Sequence, residues 1–172
     1  MGSTCYGGTK MTSERKRTNV TQKATKHEID AAMKLIGLLY RCTSKYSSLS
    51  LDLLESGQKE ADKLYMYAYQ DQFQTFYHAF FEKNGKIIRL DDYFEYKQIV
   101  EYLSTCSNYV DDITDICDEN NAECPHEFKL IYDIRTKAFD ADYNYDSLEN
   151  DKRDIIEIYE EWCSECEMKL SK

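Results

Sequence analysis

Apolar residues along most of this chain recur at spacings of three and four, which is the pattern of amphipathic helices. The first stripe begins after Thr25 and Glu28, which fit a capping box because each side chain can accept a free backbone N–H. It continues through Ile29 and Met33, and the serine-rich stretch 43–50 then predicts a loop. A first helix is therefore expected between Thr25 and this stretch.

A second stripe runs from Leu51 through Leu64 and Ala68, with Gly57 as a candidate break. It reaches Asn84-Gly85, a dipeptide with two interpretations. We favour a helix stop, in which glycine takes the left-handed position after the last turn. The alternative is a small β-hairpin, because Asn-Gly suits a type I′ turn.

Three further helices are predicted in the second half of the chain. One opens near Asp91 and continues to Asp118. The next begins at Pro125, since proline is well tolerated in the first turn, and continues to Phe139. The last is capped by Ser147 and buries the only tryptophan of the chain.

These elements predict an all-α fold, a single-domain bundle of about five helices, with a hairpin at Asn84-Gly85 as the local alternative. A length of 172 residues suits one domain, and one proline with six glycines leaves few obligatory turns. Residues 1–24 are polar and show no hydrophobic period, which predicts a flexible basic arm. Residues 25–172 are expected to form an acidic helical domain.

The net charge of −10 is unevenly distributed along the chain. Residues 1–27 hold six Lys and Arg and one Glu, which gives +5, so residues 28–172 carry −15. Such an acidic body should repel nucleic acid and anionic membranes. The charge therefore favours a basic protein as the partner, with no direct nucleic-acid binding by the body.

No glycine-rich phosphate loop, nucleophile motif or histidine pairing is recognisable, so the chain is not predicted to be an enzyme. The leading hypothesis is a non-enzymatic helical interaction protein, a regulator or inhibitor that binds a basic protein partner through an acidic, tyrosine-rich surface. A viral or phage protein directed at its host would fit this description. The candidate partner-binding carboxylates are Asp111, Asp112, Asp115, Asp118, Glu119, Asp140 and Asp142.

The seven cysteines form an odd set without an apolar leader, which predicts reduced thiols in a cytoplasmic protein. A zinc-binding protein or a cryptic enzyme is a further alternative. Its donors would be Cys117, Cys124, His126, Cys163 and Cys166. The first two are loosely spaced and the last two lie within an amphipathic helix, so ordinary buried thiols are favoured and no cofactor is expected.

A membrane-tethered adaptor is the other alternative. Gly2 follows Met1, and Cys5 and a basic cluster follow it, which suits double acylation and electrostatic attachment. Tyr6 departs from this motif, because the acylation pattern has serine or threonine there. Membrane association is thus expected only if Gly2 and Cys5 are acylated.

Overall fold

The computed structural model describes residues 23–172, which contain four helices and one five-stranded antiparallel sheet. The prediction of an all-α bundle of about five helices is therefore wrong. The helices are α1 (Lys26–Ser56), α2 (Leu90–Tyr93), α3 (Tyr96–Glu119) and α4 (Ile155–Leu170). The strands are β1 (Lys63–Gln70), β2 (Thr75–Lys83), β3 (Lys86–Arg89), β4 (Glu127–Asp133) and β5 (Phe139–Asn144).

The chain divides within α1 into two compact units, one ending at Gly37 and the other spanning Leu38–Lys172. The predicted capping box lies in the first unit and is confirmed. The Thr25 N–H donates to the Glu28 carboxylate at 2.7 Å, and the Glu28 N–H donates to the Thr25 hydroxyl at 3.1 Å. The sheet and the other helices belong to the second unit.

Helix α1 continues through the serine-rich stretch, so the predicted loop at residues 43–50 is wrong. Hydroxyl side chains there bond to the preceding turn of the same helix. Thr43 donates to the Leu39 carbonyl and Ser50 to the Tyr46 carbonyl, each at 2.8 Å. Because these bonds satisfy the hydroxyls locally, both small side chains are buried without breaking the helix.

Strand β1 replaces the second predicted helix. Its six inner residues, 64–69, are all buried, because helices cover both faces of the sheet. A strand buried on both faces loses the alternation of polar and apolar residues that identifies a half-exposed strand. The recurrence of tyrosine at positions 65, 67 and 69 was the remaining signal of a two-residue period.

The turn at Asn84-Gly85 joins β2 to β3, so the hairpin alternative is confirmed and the favoured helix stop is wrong. Asn84 has a φ of 54° and Gly85 a φ of 76°. Positive φ at both central positions is what a type I′ turn requires. This turn places β3 at one edge of the sheet.

The helix predicted from Pro125 is also wrong, since this segment forms the β4–β5 hairpin. Phe128 and Leu130 are fully buried on one face of β4, while Lys129 between them is only partly buried. In contrast, α3 is continuous to Glu119, close to the predicted end. The last helix is present but begins later than expected, with Asp154 as its N-cap.

The sheet has the order β3-β2-β1-β4-β5 and separates two layers of helix. On one face, α4 packs its Trp162 and Tyr159 against Tyr65, Tyr67 and Phe80. On the other face lie α3 and the part of α1 that follows Gly37. The outward sides of these two helices therefore form a surface distinct from that of α4.

Tyrosine contributes much of the core, since seven of the fourteen tyrosines among residues 23–172 are buried. Their hydroxyls find partners inside the protein, as buried phenols usually do. Tyr102 lies 2.6 Å from the Ser50 hydroxyl and 2.8 Å from that of Tyr77, and Tyr46 donates to the Cys106 carbonyl at 3.2 Å. Of the other seven described tyrosines, five are partly buried and two, Tyr40 and Tyr96, are exposed.

Candidate acidic interface

The C-terminal half of α3 presents five exposed carboxylates. The helix buries one stripe of side chains, so the positions on its opposite side are exposed. The buried residues are Tyr102, Cys106, Val110, Ile113 and Cys117. The exposed carboxylates, which we call the acidic interface, are Asp111, Asp112, Asp115, Asp118 and Glu119. All five were predicted as partner-binding residues.

Within residues 23–172, the carboxylates of the acidic interface form no ion pair. The hydroxyl of Thr75 donates to Asp111 at 3.3 Å, which is a neutral contact. No basic residue lies in the last turn of α3, although cations are the charges that favour the negative end of a helix dipole.

Asp115 lies at the centre of a cluster of like charges. Asp111 and Asp112 precede it by four and three residues, and Asp118 and Glu119 follow it by three and four. Residues at these separations are neighbours on a helix surface, where each like-charge pair costs about 0.2–0.5 kcal/mol. The acidic interface is thus an unfavourable arrangement in the free protein, and a basic partner would relieve it.

The surrounding sequence reinforces this charge. Residues 98–128 contain eight Asp and Glu and no Lys or Arg, so these 31 residues hold more than half of the −15 carried by residues 28–172. Residues 154–168 also hold six Asp and Glu and no Lys or Arg, but two of these carboxylates, Glu160 and Glu161, pair with Arg89 and Arg153. The stretch without basic residues is twice as long around the acidic interface, and its length was a sequence signal for this surface.

Comparison with family models and curated proteins gives no relative from which to assign a role. No known family model matches this chain, and no curated protein matches it. The physical properties of the acidic interface are therefore the basis for functional inference.

Two partly exposed tyrosines lie near acidic side chains, Tyr109 near Asp112 of the acidic interface and Tyr145 near Glu123. Burial, and next the neighbouring Cys42 and Asp112, raise the pKa of the Tyr109 hydroxyl. Burial and then Glu123 raise the pKa of the Tyr145 hydroxyl. Both phenols therefore stay protonated near neutral pH and remain hydrogen-bond donors beside the carboxylates.

Asp140 and Asp142 do not belong to the same surface as the acidic interface. Both lie on β5, and their register partners on β4 are Ile131 and Lys129. These positions share the sheet face of Tyr65 and Tyr67, which is the face opposite to α3. The seven predicted carboxylates are thus divided between two sides of the molecule.

The five predicted zinc donors do not converge on one site. Cys117 and Cys124 are hydrogen-bonded to each other, and burial raises the pKa of both thiols, that of Cys124 to about 12. Cys163 and Cys166 lie on α4 across the sheet, where burial raises the pKa of each to about 11. Nδ1 of His126 lies 2.7 Å from the Gln70 carbonyl oxygen. In the described part of the chain, no three His, Cys, Asp or Glu side chains form a group that could hold a metal ion.

The structural description begins at Lys23, so Gly2, Cys5 and most of the predicted basic arm lie outside the described residues. Within residues 23–172, no helix is both long enough and apolar enough to span a bilayer. The acylation hypothesis therefore stays a prediction.

Neutralising the centre of the acidic interface should stabilise the protein. We expect Asp115→Asn to raise the free energy of unfolding by about 0.5–1 kcal/mol, because it removes several like-charge neighbours near a helix C-terminus. Urea denaturation followed by circular dichroism would measure this gain, which should shrink at high salt. Glu165→Gln is the matched control: Glu161 precedes it by one turn and Lys169 follows it by one turn. An equal gain in both variants would contradict the repulsion at Asp115.

Proposed function

We propose that this protein is a non-enzymatic interaction protein, a regulator or inhibitor that binds a basic protein partner through the acidic interface of α3. The observation that carries the proposal is the set of five exposed carboxylates without a counter-charge among residues 23–172. A fold has no need of this arrangement, because it weakens the helix that bears it. A cationic partner would convert the repulsion into attraction.

Electrostatic binding of this kind has characteristic kinetics and salt dependence. Complementary charge steers diffusional encounter and accelerates association, and the effect weakens as salt screens the charges. The negative charge of the body disfavours nucleic acid as the ligand, which supports a protein partner. Binding should therefore be fast, dependent on salt and directed at the C-terminal half of α3.

A labelled oligolysine peptide provides a defined probe for this proposal. We expect fluorescence anisotropy to show binding at low salt and release by about 0.5 M salt, where screening extends only a few ångströms. The triple variant Asp112→Asn, Asp115→Asn and Glu119→Gln should weaken binding at least about tenfold, equivalent to about 1.4 kcal/mol.

The control for this variant removes the same charge from other exposed positions. It combines Glu55→Gln, Glu165→Gln and Glu167→Gln, and it should change the affinity by less than about twofold. Equal weakening in both triple variants would show attraction by net charge without a defined interface. Absence of binding by the unmodified protein at low salt would refute the proposed function.

A further inference from the structure

A groove lies between α1 and α3, beside the acidic interface. Its volume is about 300 Å³, and both helices supply its walls. Its apolar floor consists of Leu49, Leu53 and Tyr102, and carboxylates lie on both sides, Asp52 from α1 and Glu101 from α3. The groove therefore combines an apolar surface with negative charge from opposite walls.

The charged side chains that line this groove are all acidic. The remaining lining residues are neutral and polar, so no Lys or Arg lines it. Among residues 23–172, neither Asp52 nor Glu101 takes part in an ion pair. Its volume lies at the small end of the range for ligand pockets, which favours a single long side chain over a larger cofactor.

The groove is continuous with the acidic interface. Glu101 and Thr105 lie at the groove, and positions 108, 112, 115 and 119 follow at alternating spacings of three and four. All six positions are exposed, and this spacing places them along one stripe of α3. The stripe is about 27 Å long at 1.5 Å per residue. A segment bound to the acidic interface can thus reach the groove along the same helix face.

We infer that the groove receives a lysine or arginine side chain of the basic partner. Its aliphatic stem packs on Leu49 and Leu53, and its charged end lies between the carboxylates of Asp52 and Glu101. Long basic side chains pair an apolar stem with a solvated charge, which is the complement of this groove. The inference rests on the proposed function, because it assigns a defined anchoring position to the same partner.

A substitution that fills the groove without changing charge tests the inference. Thr105→Phe should weaken oligolysine binding at least about fivefold, whereas Ser104→Phe, on the exposed neighbouring position outside the groove, should leave it within about twofold. Ser56→Phe fills the groove from the α1 side. Circular dichroism would show whether Thr105→Phe disturbs folding. In that case Ser56→Phe replaces it, and the same loss of affinity is expected.

The length of the aliphatic stem gives a second test. A peptide of 2,4-diaminobutyric acid carries the same charge as oligolysine on stems two methylenes shorter. The unmodified protein should bind oligolysine at least about fivefold more tightly, because each buried methylene contributes to affinity. Thr105→Phe should abolish this preference. Titration with oligolysine should also shift the methyl NMR resonances of Leu49 and Leu53.

The outcomes separate this inference from the proposed function. If the triple variant of the acidic interface weakens binding but groove filling and stem length have no effect, the groove inference fails and the proposed function stands. If the unmodified protein binds no basic peptide at low salt, both fail. Loss of affinity on groove filling, together with loss of the stem preference, supports the inference.

Discussion

Replacing Trp162 with alanine should lower the free energy of unfolding by about 3–5 kcal/mol. The indole is only 7% exposed and lies between α4 and the sheet. Its ring centroid is 5.3 Å from that of Phe80, 5.9 Å from that of Tyr67 and 6.1 Å from that of Tyr65. Rigid aromatic neighbours cannot collapse fully into the space left by the ring, so the loss includes a cavity in addition to the lost burial.

Urea unfolding followed by far-ultraviolet circular dichroism would measure this change, since the variant lacks the only tryptophan of the chain. Ile156→Ala is a control on the same helix, because Ile156 is 57% exposed. It should cost less than about 1 kcal/mol. Similar losses in the two variants would contradict the packing of α4 on this face of the sheet.

Replacing Tyr67 with phenylalanine should have the second largest effect, a loss of about 1.5–3 kcal/mol. The Tyr67 hydroxyl donates to the carboxylate of Glu127, which is only 6% exposed. The remaining donor to this carboxylate is the Asn144 side-chain amide, at 3.2 Å. A buried carboxylate that loses one of its donors keeps its desolvation cost, so the effect should exceed that of an ordinary hydroxyl deletion.

A double-mutant cycle identifies the partner. Tyr67→Phe and Glu127→Gln, measured singly and together, should show a coupling energy of about 0.5–3 kcal/mol, as expected for residues in direct contact. Tyr96→Phe is the control hydroxyl deletion, because Tyr96 is 82% exposed, and it should stay within about 0.5 kcal/mol. Additive losses would indicate that the two side chains do not interact.

The sequence predicted helices where one face is buried and one is exposed. This condition holds for α3 and α4, and it preserves the three-and-four spacing that identified them. It fails in the sheet, because β1 is covered on both faces and its continuous apolar run resembles a helix segment. The predicted helix α1 ended too early for a different reason: serine and threonine favour loops and caps, but Thr43 and Ser50 bond to the preceding turn of their own helix, which residue preferences do not reveal.

The candidate site was predictable only in part. The carboxylates of α3 could be named from residue type. The absence of Lys and Arg over residues 98–128 would have given this prediction further support. The separation of Asp140 and Asp142 from α3 depends on strand register, which the helical interpretation of residues 125–139 concealed. The groove depends on the pairing of α1 with α3, and no local pattern specifies that pairing.

The position of Asp140 and Asp142 on strand β5 has a further consequence. This strand pairs only with β4 among residues 23–172, so its other side is an edge of the sheet in this part of the chain. Natural sheets protect such edges with charged side chains. A second copy adding itself at β5 would bring further Asp140 and Asp142 carboxylates beside the first pair. We therefore expect these residues to oppose edge-to-edge aggregation of the protein.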